Sequence, residues 1–515
     1  MPRPAPYSFL FKPAAAAGLV GLADLMLFDH EIGWTLGLAA LAFPLTALAL
    51  QPALGRNRLA LAALLAACAF ALVQVERPTL VGLLLFWTCL CVAVLAPRAG
   101  RADDVWRWAQ RLAFLGICSP LAPWLDLVRL EKARKRAGPR RRIRDVLLVL
   151  ILPIVGGAMF LSLFAAANPL IESAVENLRL PEIDAPRALF WILGLIAAWA
   201  ILRPRTRRKW LPLPEGLGTL PGVSAASVTL SLLVFNALFA LQNGLDLAFL
   251  WSGAPLPAGV TLAEYAHRGA YPLIATALLA GLFVLVALQP GSPTAEAPLI
   301  RRLVVLWIVQ NIFLVASTAL RTLDYIEAYS LTRLRIAALI WMGLVALGLA
   351  LICWRLMRGK SAAWLIGTNA AALGAVLAAC SLVDLGAVAA HWNVRHAREV
   401  GGRGTALDVC YLRGLGPAAL VSLAELERRP LPAGLADRIA WARDEAFEAL
   451  ARDQSSWRAW TFRGARRLTR TEALVAQTSP RSPLPGPRDC DGRLLPDRVP
   501  AAPAAPQPLT SQPRP

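Results

Sequence analysis

The stretch Ile336–Trp354, IAALIWMGLVALGLALICW, decides the fold, because its 19 residues contain no charged side chain. A helix needs about 20 mainly apolar residues to cross the hydrocarbon core of a bilayer. A second run, Tyr271–Gln289, has the same character. A lipid-exposed segment must satisfy its own backbone hydrogen bonds, which a helix does. Both runs are therefore predicted to be transmembrane helices.

The composition of the whole chain also favours a membrane protein. Of its 515 residues, 57% are hydrophobic and only 17% are charged, whereas soluble domains are about 45–50% apolar. The net charge is +20, but Lys and Arg stand in short runs between apolar segments. A nucleic-acid-binding protein would gather them on one soluble face. We therefore expect the lipid bilayer, and no nucleic acid, as the partner of this chain.

The pattern predicts an all-α, polytopic membrane helix bundle of about 11 transmembrane helices, with a small C-terminal helical domain and a disordered tail. The candidate spans are residues 13–28, 33–50, 58–75, 79–96, 145–167, 188–202, 223–243, 271–289, 303–320, 336–354 and 363–390.

Basic residues in short loops predict the orientation. Arg129–Arg144 contains nine basic residues and one acid, and 203–209 contains five basic residues. Such loops face the cytoplasm, and two spans separate these two. We therefore expect a multi-pass protein of the bacterial inner membrane, with its N-terminus in the cytoplasm and its C-terminus periplasmic or extracellular.

Five regions are predicted along the chain. Residues 97–128 carry Trp and Leu among Arg and are broken by Pro120 and Pro123. They form either an amphipathic helix at the inner interface or a loop helix packed on the bundle. The regions are 1–96, with helices 1–4; 97–144, a cytoplasmic amphipathic and basic loop; 145–390, with helices 5–11; 391–475, a small helical domain outside the membrane; and 476–515, a disordered Pro-rich tail.

Two polar motifs, EYAHRG at 264–269 and YIEAYSLTR at 325–333, stand beside spans and fall on the outer face in this topology. On a helix, Tyr325, Tyr329 and Arg333 would form one stripe, because residues four apart share a face. We expect Glu264 or Glu327 to pair with Arg268, Arg333 or Arg335. The cluster is either a set of structural ion pairs or a site for an anionic ligand or lipid headgroup. Its members are Glu264, Tyr265, Arg268, Tyr325, Glu327, Tyr329, Arg333 and Arg335.

Few polar residues fall inside the predicted spans. Asp24 and Asp384 are expected near helix ends, where solvation by water is favoured over a proton relay. Gln310 and Asn311 lie near mid-span, and an interhelical hydrogen bond is favoured there over a substrate contact. The chain shows no catalytic triad order, no HExxH and no phosphate-cradling glycine loop. Its eight Cys form no CxxC pair. No catalytic residue, metal ion or cofactor is predicted.

At the two motifs the sequence resembles a bacterial membrane family of uncharacterised proteins, domain of unknown function 4173. The resemblance spans roughly residues 14–475, and its family pattern has Arg at His267 and Gly at Ser330. It implies a polytopic membrane protein of unknown activity and supplies no catalytic residues. The segments that carry it are 236–242, 250–253, 261–269 and 325–335.

Three functions are consistent with the sequence. The first is a non-enzymatic membrane assembly, sensing or scaffold component, which binds an unidentified protein partner or an anionic ligand at its outer face. The alternative is a transporter of a small anionic or lipidic solute. A membrane transferase ranks third, because no catalytic constellation is visible.

Overall fold

A computed structural model describes residues 8–100, 103–136, 184–207, 224–252, 297–477 and 482–495, with a few single residues between these ranges. Its elements are helices throughout. Within the described residues the β-structure amounts to one antiparallel bridge, between Arg488 and Leu494. The all-α prediction is confirmed.

The helices, numbered along the chain, are α1 Ser8–Leu27, α2 Thr35–Leu50, α3 Ala53–Arg56, α4 Arg58–Glu76, α5 Leu80–Leu95, α6 Val105–Cys118, α7 Ala122–Arg136, α8 Ala185–Leu202, α9 Ala225–Asp246, α10 Pro298–Tyr329, α11 Arg333–Arg358, α12 Ala362–Leu382, α13 Leu385–His396, α14 Val409–Gly414, α15 Leu420–Glu427, α16 Ala433–Ser455 and α17 Phe462–Ala476.

Seven of these helices are long and apolar enough to cross a membrane: α4, α5 with the turn that follows it, and α8–α12. Each coincides with a predicted span, so the chain is a multi-pass membrane protein. Helix α2 is apolar but has only 16 residues, and α1 is not among the seven. The predicted spans at 145–167 and 271–289 lie outside the described residues.

Two predicted boundaries differ from the structure. The last predicted span, 363–390, ends as helix α12 at Leu382. Asp384 then caps α13, accepting hydrogen bonds from the backbone N–H groups of Gly386 and Ala387 at 3.0 and 3.3 Å. A capping carboxylate starts a new helix because it satisfies the otherwise unpaired first N–H groups. In the amphipathic region, α6 and the start of α7 meet at 70°, and together they are also long and apolar enough for one broken span.

The chain divides into two compact units, and the first contains α1–α8, α12 and residues 457–462. Its core is dominated by alanine, with Phe86 and Leu90 among its larger side chains. Small side chains let neighbouring helices approach closely, as is usual in membrane bundles. Asn57 and Thr79 cap the first turns of α4 and α5. Asp24 of α1 pairs with Arg187 of α8 at 2.5 Å.

A glycine contact joins the start of α2 to residues 457–462 in this unit. A Cβ built on Gly33 would lie 2.3 Å from the carbonyl carbon of Ala459, so only glycine fits there. The backbone N–H of Trp34 donates to the carbonyl oxygen of Trp460 at 2.8 Å. The indole N–H of Trp34 donates to the carbonyl oxygen of Trp457 at 2.5 Å. The aromatic segment after α16 therefore packs beside the loop between α1 and α2.

The second unit contains α9–α11, α13–α16, α17 from Arg463, and residues 482–495. One core, around Val304 and Trp307, joins α9, α10 and α11. Another core, around Leu412, Leu423 and Ile439, joins α13 to α16. A smaller cluster of Ile326, Leu331 and Ala389 connects the membrane helices of this unit to its C-terminal helices.

Part of the predicted disordered tail is ordered against α16. The guanidinium of Arg488 bonds both carboxylate oxygens of Asp437, at 2.7 and 3.1 Å. The side chain of Arg438 donates to the carbonyl oxygen of Asp491 at 2.6 Å. Residues 482–495 therefore differ from the disorder predicted for 476–515. The cause is ionic pairing, which a search for apolar periodicity does not register.

The two cysteines nearest this contact are both free. The thiol of Cys490 hydrogen-bonds the thiol of Cys410 and raises the pKa of Cys410 to about 11. The thiolate is the reactive form of cysteine. Cys410 therefore stays protonated, and a weak nucleophile, at neutral pH.

We expect Arg488→Ala to destabilise the protein by about 2 kcal/mol. Breaking a fully buried ion pair costs about 3–5 kcal/mol, but the side chain of Asp437 keeps 17% exposure while that of Arg488 is 3% exposed. Melting of the full-length protein in uncharged detergent measures the effect. Arg493→Ala is the control, because its side chain is 70% exposed and should contribute only about 0–1 kcal/mol.

The same pair predicts a pH dependence. The hydrogen bond from Arg488 lowers the pKa of Asp437 below its usual value of 3.8. A lowered carboxyl pKa stabilises the fold above the unfolded-state pKa, and this stabilisation is lost as the pH falls through the folded-state pKa. The two variants should therefore differ at neutral pH and converge under strongly acidic conditions. Equal melting temperatures at pH 7 would contradict the account.

Candidate functional site

The second motif forms a sharp turn between α10 and α11. Helix α10 ends at Tyr329, and Ser330 has φ 68° and ψ 165°, a conformation that is close to a glycine-only region. Glycine adopts such a positive φ without steric cost, whereas serine does not. Because the helix stops, Arg333 belongs to α11. The predicted continuous stripe of Tyr325, Tyr329 and Arg333 is therefore wrong.

The side chain of Arg335 stabilises this turn. Its guanidinium donates to the carbonyl oxygen of Tyr329 at 2.5 Å and to that of Ser330. It also lies 4.3 Å from the ring centroid of Tyr325, whose ring packs on that of Tyr329 with centroids 4.7 Å apart. A cation at the C-terminus of a helix neutralises its unpaired carbonyl groups. Arg335 thus caps α10.

The predicted ion pairs are not found in the described part of the cluster. Among the described residues, Glu327 forms no ion pair with Arg333 or Arg335. The other predicted pairings involve Glu264 or Arg268, which lie outside the described residues together with Tyr265. The backbone N–H of Arg333 instead donates to the hydroxyl of Tyr411 at 2.9 Å.

A double hydrogen bond ties the turn to α13. The amide of Asn393 accepts from the backbone N–H of Leu331 at 2.7 Å and donates to the carbonyl oxygen of Leu331 at 2.9 Å. Both residues are buried. An unpaired backbone group would cost about 1–3 kcal/mol there. Asn393 therefore fixes the position of α13 against the motif turn.

A cavity of about 270 Å³, the motif pocket, lies between the turn and the end of α13. Glu327 offers a carboxylate to it, and Arg403 and His396 lie on its other walls. The indole of Trp392 stacks on the imidazole of His396, with ring centroids 3.8 Å apart. The lining residues are Ile326, Glu327, Ser330, Trp392, Asn393, His396, Ala397, Arg403, Gly404, Thr405 and Leu407.

A larger cavity of about 820 Å³, the basic groove, lies on the other side of this ring stack. It runs between α13, α15 and α17, and its lining carries five arginines and one glutamate. Trp392 and His396 line both cavities, so the two sites share a wall. The lining residues are Ala387, Val388, His391, Trp392, Arg395, His396, Ala418, Val421, Ser422, Glu425, Arg463, Arg466, Arg467 and Arg470.

The sequence of α17 explains why the groove is so basic. Arg463, Arg466, Arg467 and Arg470 recur at i, i+3, i+4 and i+7, so they share one face of the helix. Next to the arginine face around the helix, Gly464 and Thr471 are buried, and on the far side Leu468 packs against Leu420, Ala446 and Leu450. These contacts anchor α17 and leave its arginines lining the groove.

Two carboxylates hold part of this arginine face in place. Arg467 pairs with Asp384, the N-cap of α13, at 2.5 Å. Arg470 pairs with Glu425 at 2.6 Å, and His391 lies 3.9 Å from the same carboxylate. The lining of the groove carries five arginines and one glutamate, so basic side chains outnumber acidic ones there. This lining is complementary to an anion.

The intramembrane polar residues lie on helix seams. Gln310 donates to the side-chain oxygen of Asn236 at 2.8 Å, and Asn243 donates to the carbonyl oxygen of Gln310 at 3.2 Å. Asn311 is fully buried and donates to Trp307 of its own helix at 2.7 Å. Asp24 accepts from Arg187 and, at 2.9 Å, from the indole of Trp191. It is thus held by an ion pair rather than only by water.

Polar contacts join α9, and the helical turn that follows it, to α10. Asn236 bonds Leu303, Asn243 bonds Gln310, and Trp251, just beyond α9, bonds Ser317. Since the partners advance together along the two helices, α9 and α10 run parallel.

Asp246 and Arg321 form a buried ion pair that sequence reasoning missed. Their side chains are 1% and 6% exposed, and Gln242 also donates to Asp246 at 3.0 Å. Both residues fall just beyond the predicted spans 223–243 and 303–320, so apolarity alone does not place them within a membrane helix. The signal that could have found them is the continuation of helical spacing from Gln242 to Asp246.

Comparison with known proteins gives a family but no described activity. The family model described as Domain of unknown function (DUF4153) matches residues 59–426. The match covers well over half of the chain, so the chain belongs to this family. The resemblance to domain of unknown function 4173 was therefore wrong in its number, although it was right about an uncharacterised family. No curated protein and no solved structure matches the chain.

We expect Ser330→Gly to stabilise the protein by about 1 kcal/mol. Glycine adopts the φ of 68° without strain, and relieving a strained residue stabilises a fold by about 1–3 kcal/mol. Glycine also adds conformational freedom to the unfolded chain, which reduces this gain in stability. Melting of the full-length protein measures the change. Ser330→Ala keeps the Cβ and should give no gain. A lower melting temperature for the glycine variant than for the alanine variant would contradict this reading of the turn.

Proposed function

We propose that this member of the family is a non-enzymatic membrane assembly, sensing or scaffold component that holds an anionic ligand or partner in its basic groove. The observation that carries the proposal is the arginine face of α17, which lines a cavity of about 820 Å³. Guanidinium groups bind carboxylates and phosphates through paired N–H donors. Four of them on two turns of one helix form a recognition surface.

The chemistry of the groove favours binding over catalysis. Arginine stays protonated in proteins and offers only donors, so it does not exchange protons with a substrate. The two carboxylates nearest the groove are already bonded to Arg467 and Arg470. The groove thus resembles a receptor surface more than a centre for acid–base chemistry.

The alternative, a transporter of a small anionic or lipidic solute, draws support from a different observation. The buried Asp246–Arg321 pair and the Asn236–Gln310 contact lie within helices that are apolar enough to span a membrane. Ionisable residues in such helices often mark solute pathways. The same groups also lock α9 to α10, and this structural role is sufficient to explain them.

We expect the double variant Arg395→Ala/Arg463→Ala to bind inorganic pyrophosphate at least about tenfold more weakly than the parent, because each charge-assisted hydrogen bond contributes on the order of 1.5–3 kcal/mol. Isothermal titration of the full-length protein in uncharged detergent measures the affinity. Arg428→Ala/Arg452→Ala is the matched control, since these two arginines are exposed and lie outside the groove. Equal losses in both double variants would contradict a site in the groove.

The orientation is a separate proposal with its own test. We expect the C-terminal helices, and with them the groove, on the outer side of the inner membrane, because the basic runs at Arg129–Arg144 and 203–209 favour the cytoplasm. Alkaline phosphatase is active only outside the cytoplasm. It should be active when fused at Gly402 and inactive when fused at Gly138. Gly138 lies outside the described residues. The reverse pattern would invert the topology.

A further inference from the structure

The lining of the basic groove contains both arginine side chains and apolar side chains. A soluble anion would need only the arginines. Its α17 side is lined by arginines, whereas α13 presents Ala387 and Val388, and α15 with the turn before it presents Ala418 and Val421. Val388 and Trp392 are 44% and 40% exposed. Apolar groups in a cavity of this size gain free energy when an apolar ligand covers them. The lining therefore matches an amphiphile with one anionic end.

The apolar side of the groove lies next to the first residue of membrane helix α11. The guanidinium of Arg333, the first residue of α11, lies so close to α13 that a Cβ built on Gly386 would be 3.0 Å from its Nε. Ala387 and Val388 follow directly on α13. Helix α11 is long and apolar enough to span the bilayer. The contact between Arg333 and Gly386 therefore places the apolar side of the groove next to the end of a membrane span.

The aromatic wall of the groove also fits a membrane boundary. Trp392 stacks on His396 and keeps part of its ring exposed. Tryptophan is enriched at the level of lipid headgroups, because its ring is amphipathic. Guanidinium groups near a membrane helix can hold a lipid phosphate through paired N–H donors.

We propose that the groove binds an anionic phospholipid, with its phosphate on the arginines of α17 and an acyl chain along Ala387, Val388 and Trp392. This inference rests on the proposed function, since it names the ligand class of the same site. Arg463, Arg466, Arg467 and Arg470 supply the donors for the phosphate. Arg467 and Arg470 also keep their carboxylate partners, so they orient the groove while sharing the ligand's charge.

The test compares probes on the full-length protein in uncharged detergent. Binding of phosphatidylglycerol, phosphatidylcholine, inorganic pyrophosphate and a hexaglutamate peptide is measured by native mass spectrometry. We expect phosphatidylglycerol to bind at least about tenfold more tightly than phosphatidylcholine, because only its net charge is complementary to the groove. The variant Arg395→Ala/Arg463→Ala should abolish this preference.

A variant on the apolar side of the groove distinguishes lipid binding from the binding of a free phosphate. Val388→Gln changes an exposed side chain and should leave the fold intact. It should weaken phosphatidylglycerol several-fold and leave pyrophosphate unchanged. Arginine-dependent pyrophosphate binding without a preference for phosphatidylglycerol, an unaffected lipid affinity in Val388→Gln, or tighter binding of hexaglutamate would each overturn the lipid inference alone. If the arginine variant changes the binding of no probe, the proposed function fails as well.

Discussion

The double hydrogen bond between Asn393 and Leu331 is the contact on which the candidate site depends. It fixes the turn between two membrane helices to α13, and α13 is the wall shared by the motif pocket and the basic groove. Because both partners are buried, the bond is not weakened by competing water. The positions of Trp392 and His396 follow from it.

Charge pairing then completes the arrangement. Asp384 starts α13 as its N-cap and also pairs with Arg467 of α17, so one carboxylate sets both walls of the groove. Glu425 does the same for α15 and α17 through Arg470. In a chain with few acidic residues, these carboxylates are used for position. The arginines of α17 line the groove that we propose for the ligand.

Sequence reasoning predicted the membrane helices well and the site poorly, for a physical reason. Apolar runs such as Ile336–Trp354 determine spans locally, because the bilayer requires helix of a fixed length. The groove depends on contacts between distant segments, such as Asp384 with Arg467, which no local pattern encodes. Ser330 ends α10 through a single dihedral angle, and this break moved Arg333 out of the predicted stripe. The ordered residues 482–495 follow from ion pairs with Asp437 and Arg438, which apolar periodicity does not detect.

The central claim is that the arginine face of α17 and the apolar side of α13 enclose an anionic amphiphile. An electron cryomicroscopy map of the full-length protein in nanodiscs containing phosphatidylglycerol tests it most directly. The account predicts density in the basic groove that joins the guanidinium groups of Arg463 and Arg466 to the side chains of Val388 and Trp392. An empty groove in such nanodiscs, with lipid density only around the membrane helices, would contradict it.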